Sequence, residues 1–274
     1  MGLFDAFRYD GKRAVVVGGA TGMGAATAEL VKDAGAEVVV MDRADVTLDG
    51  VKAIHLDLAD KTSIERAVDE CGGPVHALFS CAGVADGTPG IERINFIGHR
   101  FMIERMLAGD MLPKGSAIGM ISSAAGMGWE NNLEELHTYL NIGDFDEATK
   151  WAQDNNHADY LWSKKTINMY VAREAYRLLK KGIRINAIMP GPTNTPLARA
   201  NEEMWLGFGK DYREDIGIEA STPLEQAYPL VFLCSDAAAG IAGITMITDA
   251  GYFAAGVTGT FDSAKEAIGF LRSF

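Results

Sequence analysis

Seven short apolar runs, separated by longer segments of helical pattern, constrain this sequence most strongly. They cover residues 13–19, 37–42, 52–58, 76–83, 116–123, 183–191 and 244–251. The runs are mostly continuous rather than alternating, which indicates strands covered on both faces, and strands that alternate with helices indicate a parallel sheet. The sequence therefore predicts an α/β fold, a doubly wound parallel sheet of about seven strands with helices on both faces.

No repeat, low-complexity segment or proline-rich linker divides the chain, so one domain is expected over 1–274. Residues 129–159 interrupt the rhythm with eight acidic residues against a single lysine. They are predicted to form two short inserted helices. Two interpretations stay open: a solvated acidic excursion, or a cover over a cleft that uses Trp129, Tyr139 and Trp151.

Composition and charge exclude several partners. The formal net charge of −12 is unfavourable for nucleic acid, whose phosphates require clusters of Lys and Arg. The first residues carry charges where a signal peptide needs an apolar run, and the uncharged run at 237–248 is too short to cross a bilayer. Cys71, Cys81 and Cys234 lack metal-ligand spacing and suit a reducing compartment. We expect a cytoplasmic protein with no metal, no nucleic acid and no membrane partner.

A glycine-rich turn follows the first predicted strand. Gly18, Gly22 and Gly24 precede an amphipathic segment that ends at Gly35. Such a turn lets the backbone approach a pyrophosphate, and the helix start supplies free N–H groups and the positive end of its dipole. Because a strand precedes the turn and a helix follows it, the pattern predicts a dinucleotide site.

Asp42 ends the second predicted strand, where a carboxylate can accept hydrogen bonds from both adenosine ribose hydroxyls. It would repel a 2′-phosphate, and Thr21 leaves no basic residue in the glycine loop to attract one. Arg43 could soften that repulsion. The pattern favours NAD over NADP.

The segment 158–182 places a tyrosine four residues before a lysine twice: Tyr160 with Lys164, and Tyr176 with Lys180. Each pair shares one helix face, but the pairs point roughly 160° apart and cannot serve the same cleft. The second pair lies where lysines interact with the last carbonyls of a helix. Tyr160 is therefore the catalytic candidate.

Tyr160 needs assistance to act as an acid–base, because a phenol has an ordinary pKa of about 10. The Lys164 ammonium is expected to lower that pKa, and an oxidised nicotinamide would act in the same sense. Such a tyrosine can deprotonate an alcohol or protonate a ketone oxygen while hydride moves. Ser122 and Ser123, at the end of a predicted strand, can supply a hydroxyl to the developing oxyanion.

These motifs, in their order along the chain, resemble the short-chain dehydrogenase/reductase family over nearly the whole sequence. They are the glycine loop, Asp42, "LDL" at 56–58, "CAG" at 81–83, "IN" at 94–95, "ISS" at 121–123, "YLWSK" at 160–164 and "MPGPTNT" at 189–195. The resemblance implies a single Rossmann-type NAD-binding domain. The chain looks most like the bacterial 3α-hydroxysteroid dehydrogenase/carbonyl reductase subgroup.

The resemblance also implies individual roles. Tyr160 is the implied acid–base, with Lys164 as its partner on the nicotinamide ribose; Ser123 would orient the substrate and Asn95 would anchor a proton-relay water. Residues 57 and 58 would flank the adenine, and residues 190–195 would hold the carboxamide. The implied cofactor-binding residues are Gly18, Thr21, Gly22, Met23, Gly24, Asp42, Asp57, Leu58, Cys81, Ala82, Gly83, Tyr160, Lys164, Pro190, Gly191, Thr193 and Thr195.

Three features depart from the family pattern. Cys81 stands where the family has the asparagine of N-A-G, and Ala250 stands in the middle of the usual D-G-G. Ser123 precedes Tyr160 by 37 residues, more than is common in the family. The long spacing leaves the geometry of these two residues to be established.

The segment 192–222 is implied to cover the substrate. Its Met204, Trp205 and Phe208 imply a bulky hydrophobic alcohol or ketone, such as a steroid, terpenoid or aryl ketone, unless the segment simply packs on the domain. The tail, 252–274, has apolar residues at helical spacing and predicts a docked helix or a subunit contact. A homodimer or homotetramer is expected, with an interface altered by the acidic insertion.

The leading prediction is an NAD-dependent oxidoreductase that interconverts a hydrophobic secondary alcohol and its ketone. One alternative is a dinucleotide-binding sensor or scaffold without turnover. Another is an NAD-dependent epimerase or dehydratase, although those relatives have a different glycine spacing and a separate substrate domain. An enoyl reductase is disfavoured because those relatives place more residues between tyrosine and lysine.

Overall fold

A computed structural model describes residues 2–273, and its seven strands form one parallel sheet in the order β3-β2-β1-β4-β5-β6-β7. The strands are β1 Arg13–Val17, β2 Glu37–Asp42, β3 Lys52–His55, β4 Ala77–Ser80, β5 Ala117–Ile121, β6 Arg184–Pro190 and β7 Thr245–Thr248. Each lies inside one of the seven apolar runs. The predicted doubly wound α/β fold is confirmed.

Helices cover both faces of this sheet. They are α1 Gly22–Asp33, α2 Lys61–Cys71, α3 Gly98–Ala108, α4 Leu133–Leu140, α5 Phe145–Asp154, α6 Tyr160–Leu179, α7 Pro196–Arg199, α8 Glu202–Trp205, α9 Lys210–Ile216, α10 Pro223–Cys234, α11 Tyr252–Thr258 and α12 Asp262–Leu271. Alternate residues of β1 enter different cores. Val15 and Val17 pack with α2, α3 and α6, while Ala14 and Val16 pack with α1 and α10. Burial on both faces explains why the strand sequences are continuously apolar.

The strand order reverses between β1 and β4, because β2 and β3 lie to one side of β1 and β5 to β7 lie beyond β4. Loops that leave two neighbouring strands in opposite directions at such a point open a crevice at the carboxyl ends of the strands. This position holds the glycine loop after β1 and the loop that begins at Cys81 after β4.

The insertion, residues 129–159, contains helices α4 and α5. Its apolar side is part of the main core: Leu136, Tyr139 and Phe145 are each at most 2% exposed. Tyr139 packs against Phe96, and Phe145 packs against Phe101, so the insertion lies over the residues leading into α3 and over α3 itself. Neither sequence interpretation describes it, since the acidic residues form only the outer side of a packed layer.

Two of the three aromatic residues suggested as a cleft cover are likewise packed inside this layer. Tyr139 and Trp151 stack with ring centroids 4.9 Å apart, and both contact Trp162 of α6. Trp129 lies by Arg272 and α6, against the tail. A charge count hides this arrangement, because an amphipathic helix can bury one side while its other side is densely acidic.

The tail forms α11 and α12, whose Ala264 and Ile268 are buried against Tyr252 and the segment 208–212. It is a docked helix in this chain. Ala250, the departure from D-G-G, has a φ of 55°, a conformation that glycine adopts more easily. Over residues 2–273, no helix is both long enough and apolar enough to span a membrane.

Candidate functional site

A cleft opens at the carboxyl ends of β1 and β4. Its wall includes most of the residues implied for the cofactor: Gly18, Thr21, Gly22, Met23, Gly24, Asp42, Asp57, Leu58, Cys81, Ala82, Gly83 and Thr195. Arg43, Val84 and Leu197 complete its rim. Five implied residues are not part of this wall. Pro190, Gly191 and Thr193 form the turn that leads to Thr195, and Tyr160 and Lys164 lie on α6.

Glycine is required at two positions of the loop after β1. Gly18 has a φ of 80°, and a Cβ there would lie 2.5 Å from the Ala82 backbone. A Cβ on Gly24 would lie 2.0 Å from the Gly18 carbonyl oxygen. These contacts hold the start of α1 against the loop after β4, so a larger residue would force the two walls of the cleft apart.

The start of α1 faces the cleft with its N–H groups uncapped by any side chain. Thr21 occupies the N-cap position and makes no side-chain capping bond, and Gly22 follows with a φ of 59°. Free N–H groups and the positive helix dipole form an anion site. The residues present therefore fit the pyrophosphate of a dinucleotide.

Asp42 is held in place for the role assigned to it. One carboxylate oxygen accepts a hydrogen bond from the Ala20 N–H and the other from the Ala44 N–H, each at 2.9 Å. Both bonds come from backbone beside the cleft, and the remaining lone pairs can accept ribose hydroxyls. This geometry fits NAD, because the fixed negative charge opposes a 2′-phosphate.

Helix α6 begins at Tyr160 because two carboxylates cap its N-terminus. Asp159 at the N-cap accepts the Trp162 N–H at 2.7 Å, and Asp86, in the loop after β4, accepts the Tyr160 N–H at 2.6 Å. Carboxylates at this end satisfy free N–H groups and interact well with the helix dipole. They fix where the tyrosine starts and therefore where its ring is directed.

The Ser123 hydroxyl lies near the Tyr160 phenol and favours a lower pKa for it, while its Oγ accepts the Ala125 N–H at 3.3 Å. The spacing of 37 positions therefore does not separate them, because the insertion leaves the end of β5 and returns to the start of α6. Ser122 has a different contact: its Oγ donates to the Lys164 carbonyl at 3.3 Å. Of the two candidate serines, Ser123 faces the acid–base.

The Tyr160 pKa differs from the expectation. Burial raises it above its ordinary value, the Ser123 hydrogen bond opposes that rise, and the negative charge of Asp86 adds to it. Lys164 does not lower it here. The ammonium lies 5.3 Å from the centroid of the Tyr160 ring rather than at its hydroxyl. Positive charge beside the hydroxyl is what this site still needs to favour the phenolate.

Lys164 is buried and positioned by the strand below it. Its Nζ donates to the Ile121 carbonyl at 2.9 Å, and the side chain is only 5% exposed. Burial lowers the pKa of this amine to about 8, against a smaller opposing contribution from the Cys81 thiol. Part of the lysine population is therefore neutral in mildly alkaline solution, and a nearby anion would restore its charge.

Asn95 holds the loop after β4 through two hydrogen bonds. It lies in a π-helical turn, Arg93–Ile97, and its side chain accepts from the Val84 N–H at 2.8 Å and donates to the Val84 carbonyl at 3.0 Å. Its Oδ1 and the Lys164 Nζ both lie beside Gly83. The structure thus brings Asn95 close to the lysine, with its amide occupied by backbone; its implied part in a proton relay stays a prediction.

Sequence reasoning missed His99, one helical turn beyond Asn95. Its Nε2 donates to the Ala82 carbonyl at 3.0 Å, and the ring is 1% exposed. Burial lowers the pKa of His99 to about 4, so it is neutral and fixes the same loop. The spacing of four residues from Asn95 was the available signal, since such pairs share a helix face.

The three apolar residues implied for substrate binding have three different environments in the structure. Trp205 packs edge-on against Tyr160, with ring centroids 4.8 Å apart. Met204 is 67% exposed, and Phe208 packs against Tyr252 in the tail. Only Trp205 reaches the acid–base, because the short helix α8 can turn just one of its apolar residues inward.

Comparisons with known proteins agree with this geometry. A family model described as short chain dehydrogenase matches residues 12–133, and one described as Enoyl-(Acyl carrier protein) reductase matches residues 138–253. The chain is 30% identical over 254 residues to cis-4-hydroxycyclohexanecarboxylate dehydrogenase of Sinomonas cyclohexanicum, covering 88% of this chain and 96% of that one.

The chain is also 27% identical over 252 residues to 3-alpha-hydroxysteroid dehydrogenase/carbonyl reductase of Comamonas testosteroni, covering 86% of this chain and 95% of the relative. A similar solved structure is the 3-alpha-hydroxysteroid dehydrogenase from Pseudomonas sp. B-0831 complexed with NADH. Its TM-score is 0.72 at 26% identity, covering 89% of this chain and 97% of the other.

Proposed function

Because this chain belongs to the short-chain dehydrogenase/reductase family, we propose that it interconverts a bulky hydrophobic secondary alcohol and its ketone with NAD(H), Tyr160 serving as the acid–base. One observation carries the proposal. The Ser123 hydroxyl lies near the Tyr160 phenol, and the Trp205 ring packs edge-on against the same tyrosine. A hydrogen-bonding hydroxyl from Ser123, a proton donor from Tyr160 and an apolar wall from Trp205 thus lie together beside the cofactor cleft.

The bound nicotinamide supplies or accepts the hydride. In the oxidative direction, the alcohol O–H proton passes to the Tyr160 phenolate oxygen as the C–H bond breaks. In reduction, the phenol returns that proton to the ketone oxygen. Ser123 donates a hydrogen bond to the oxygen on which negative charge develops. Lys164 would hold positive charge near the tyrosine and contact the nicotinamide ribose.

Several observations support NAD as the cofactor. The related 3-alpha-hydroxysteroid dehydrogenase was solved with NADH, and Asp42 is fixed at the position where it would oppose a 2′-phosphate. Arg43 also lies on the cleft rim. Its guanidinium gives some tolerance of NADP, but with a clear preference for NAD.

A bulky apolar substrate fits the aromatic wall formed by Trp205. Two relatives act, by name, on cyclic or steroid alcohols, and a hydroxysteroid is one member of the proposed class. Aryl ketones and terpenols are others. The substrate class rests on Trp205, the apolar residue of the covering segment that contacts Tyr160.

Two alternatives predict different results. A non-catalytic sensor would bind the dinucleotide without turnover, although all four implied catalytic residues are present and Ser123 meets Tyr160. An epimerase or dehydratase would convert substrate without net change in NADH. The model named for enoyl reductases matches the second half, yet only four positions separate Tyr160 and Lys164.

The test is nicotinamide reduction by the purified protein across secondary alcohols. Steroids, terpenols and aryl carbinols are each offered with NAD and with NADP. We expect turnover of at least one bulky alcohol, with kcat/KM at least about tenfold higher with NAD, the scale of one unfavourable charge contact. Cofactor binding without turnover of any alcohol would favour the sensor instead.

We also expect a cytoplasmic homodimer or homotetramer. The three free thiols, two of them buried, support a reducing compartment. Tyr139 and Trp151 of the insertion pack against Trp162, so the insertion covers part of α6, and this supports an altered interface if subunits meet beside that helix. Deleting it would expose Tyr139 and Phe145. Solution mass of the intact chain and of an exposed variant, Glu134→Lys, is therefore the better test; unchanged mass would count against a role for α4.

A further inference from the structure

Asp86 is a charged residue at the site, and the sequence analysis gave it no role. It lies in the loop after β4, and its side chain is exposed although its Oδ1 accepts the Tyr160 N–H at 2.6 Å. The same loop lines the cofactor cleft at Gly83 and Val84. The loop therefore runs from the cofactor cleft to the acid–base within a few residues.

The Asp86 carboxylate lies at the backbone of the acid–base residue, close to where a ketone would meet the Tyr160 hydroxyl. Trp205 packs edge-on against the tyrosine ring, with centroids 4.8 Å apart. After burial, the negative charge of Asp86 also raises the pKa of the Tyr160 phenol.

Nearby cations do not cancel this charge. The covering segment, 192–222, contains six acidic residues and three basic ones. Arg199 donates to the Asn194 side chain, and Arg213 donates to two backbone carbonyls. Lys210 pairs with Glu214 of its own helix.

At the tyrosine itself, Lys164 is directed below the ring toward β5 and Lys165 donates to Asn132. Asp159 adds a second carboxylate at the start of α6.

We propose that Asp86 makes the substrate mouth selective for charge: it rejects alcohols and ketones that carry a carboxylate and admits neutral or cationic ones. The proposal rests on the proposed function and narrows its substrate class. Repulsion between like charges discriminates against the wrong partner even where it adds little affinity for the right one. The Sinomonas relative, by its name, acts on a carboxylate, so this chain would differ from it in substrate charge.

The experiment compares two ketones that differ by one charge, 4-acetylbenzamide and 4-acetylbenzoate. Their dissociation constants from the enzyme–NADH complex are measured by NADH fluorescence, together with kcat/KM for their reduction. The variants are Asp86→Asn, which keeps an oxygen to accept the Tyr160 N–H, and Asp86→Ala, which removes both charge and acceptor. Glu70→Gln, an exposed change on α2, removes the same charge far from the site.

We expect the wild-type protein to bind the amide at least about tenfold more tightly than the carboxylate, with a smaller ratio at high salt. Asp86→Asn and Asp86→Ala should both reduce that ratio by at least about threefold, and Glu70→Gln should leave it unchanged. A ratio that survives in Asp86→Asn, or that falls only in Asp86→Ala, overturns the proposal. If NADH binds but neither ketone does, no carboxylate is being rejected by its charge and the proposal also fails; the proposed function fails only if no alcohol of the panel is turned over.

Discussion

The two ends of helix α6 carry the same pair of residues in different surroundings. Tyr160 and Lys164 lie at its start, Tyr176 and Lys180 at its end, and in each pair the lysine lies over the tyrosine ring, at 5.3 Å and 4.3 Å from the centroid. Tyr176 is 71% exposed. Spacing and local contact therefore do not distinguish the pairs.

What distinguishes them is the rest of the fold. At the start of α6, β5 supplies Ser123 and the Ile121 carbonyl, and the covering segment supplies Trp205. Burial there moves the pKa of both members of the pair, upward for Tyr160 and downward for Lys164. Among residues 2–273, nothing comparable packs on the exposed ring of Tyr176. Perturbed titratable groups that lie together beside a cleft indicate a functional site.

Apart from variants of the tyrosines themselves, a pair of lysine variants tests the difference between the two ends of α6 most sharply. Lys164→Met keeps the volume of the buried stem and removes the charge, so kcat/KM should fall about 100-fold or more and NADH should bind more weakly. Lys180→Met should leave both within about twofold, as expected for an exposed surface change. Steady-state kinetics and NADH fluorescence measure the two effects. Equal losses in the two variants would remove the distinction between the ends.

The serines at the end of β5 give the next largest contrast. Ser123→Ala removes the donor at the Tyr160 hydroxyl and should lower kcat about 100-fold, with KM affected less. Ser122→Ala removes a buried hydroxyl that donates to the Lys164 carbonyl, so it should cost about 1 kcal/mol of stability and little activity. Kinetics and urea denaturation report on each. A larger kcat loss in Ser122→Ala would reverse the assignment.

The pH dependence gives a smaller effect with a defined sign. Alcohol oxidation needs Tyr160 deprotonated, so its kcat/KM should rise with pH. The negative charge of Asp86 favours the neutral phenol and raises its pKa. Asp86→Asn should therefore move the midpoint of the rise to lower pH, by about half a unit for a solvent-screened charge. A midpoint that stays fixed or moves upward would show that Asp86 does not act on the phenol.

The smallest effect concerns the exposed pair. The Lys180 ammonium lies over the Tyr176 ring in solvent. Lys180→Ala should change the free energy of unfolding by no more than about 0.5–1 kcal/mol, the range for an exposed cation–π contact. Urea denaturation measures it, and activity should be retained. A loss well above that range would mean that this end of α6 is more tightly integrated than its exposure indicates.

The sheet and the cofactor cleft could be predicted because local rules dictate them. Strands buried on both faces must be continuously apolar, and the Gly18 and Gly24 positions leave no room for a Cβ. The packing of the insertion could not be predicted, since its eight acidic residues mask the buried side that contains Tyr139 and Phe145. Met204 and Phe208 look alike in sequence, yet tertiary packing turns one to solvent and the other to the tail.

Asp86 shows the same limit within the site. Its role depends on an acceptor placed opposite the Tyr160 N–H, 74 positions along the chain. No periodicity links two such loops, because they meet only when β4 and β5 pair and α6 returns across the sheet. The Tyr160 pKa likewise could not be read from the Tyr–Lys spacing, since burial outweighs the lysine in this structure.

The central claim is that Tyr160, and not Tyr176, is the acid–base. The direct test is kcat for alcohol oxidation in Tyr160→Phe and Tyr176→Phe, with the dissociation constant of NADH measured in both. Tyr160→Phe is expected to lose at least about 100-fold in kcat while still binding NADH, because only proton transfer is removed. Tyr176→Phe is expected to match the wild-type protein. Turnover that survives in Tyr160→Phe, or is lost in Tyr176→Phe, would contradict it.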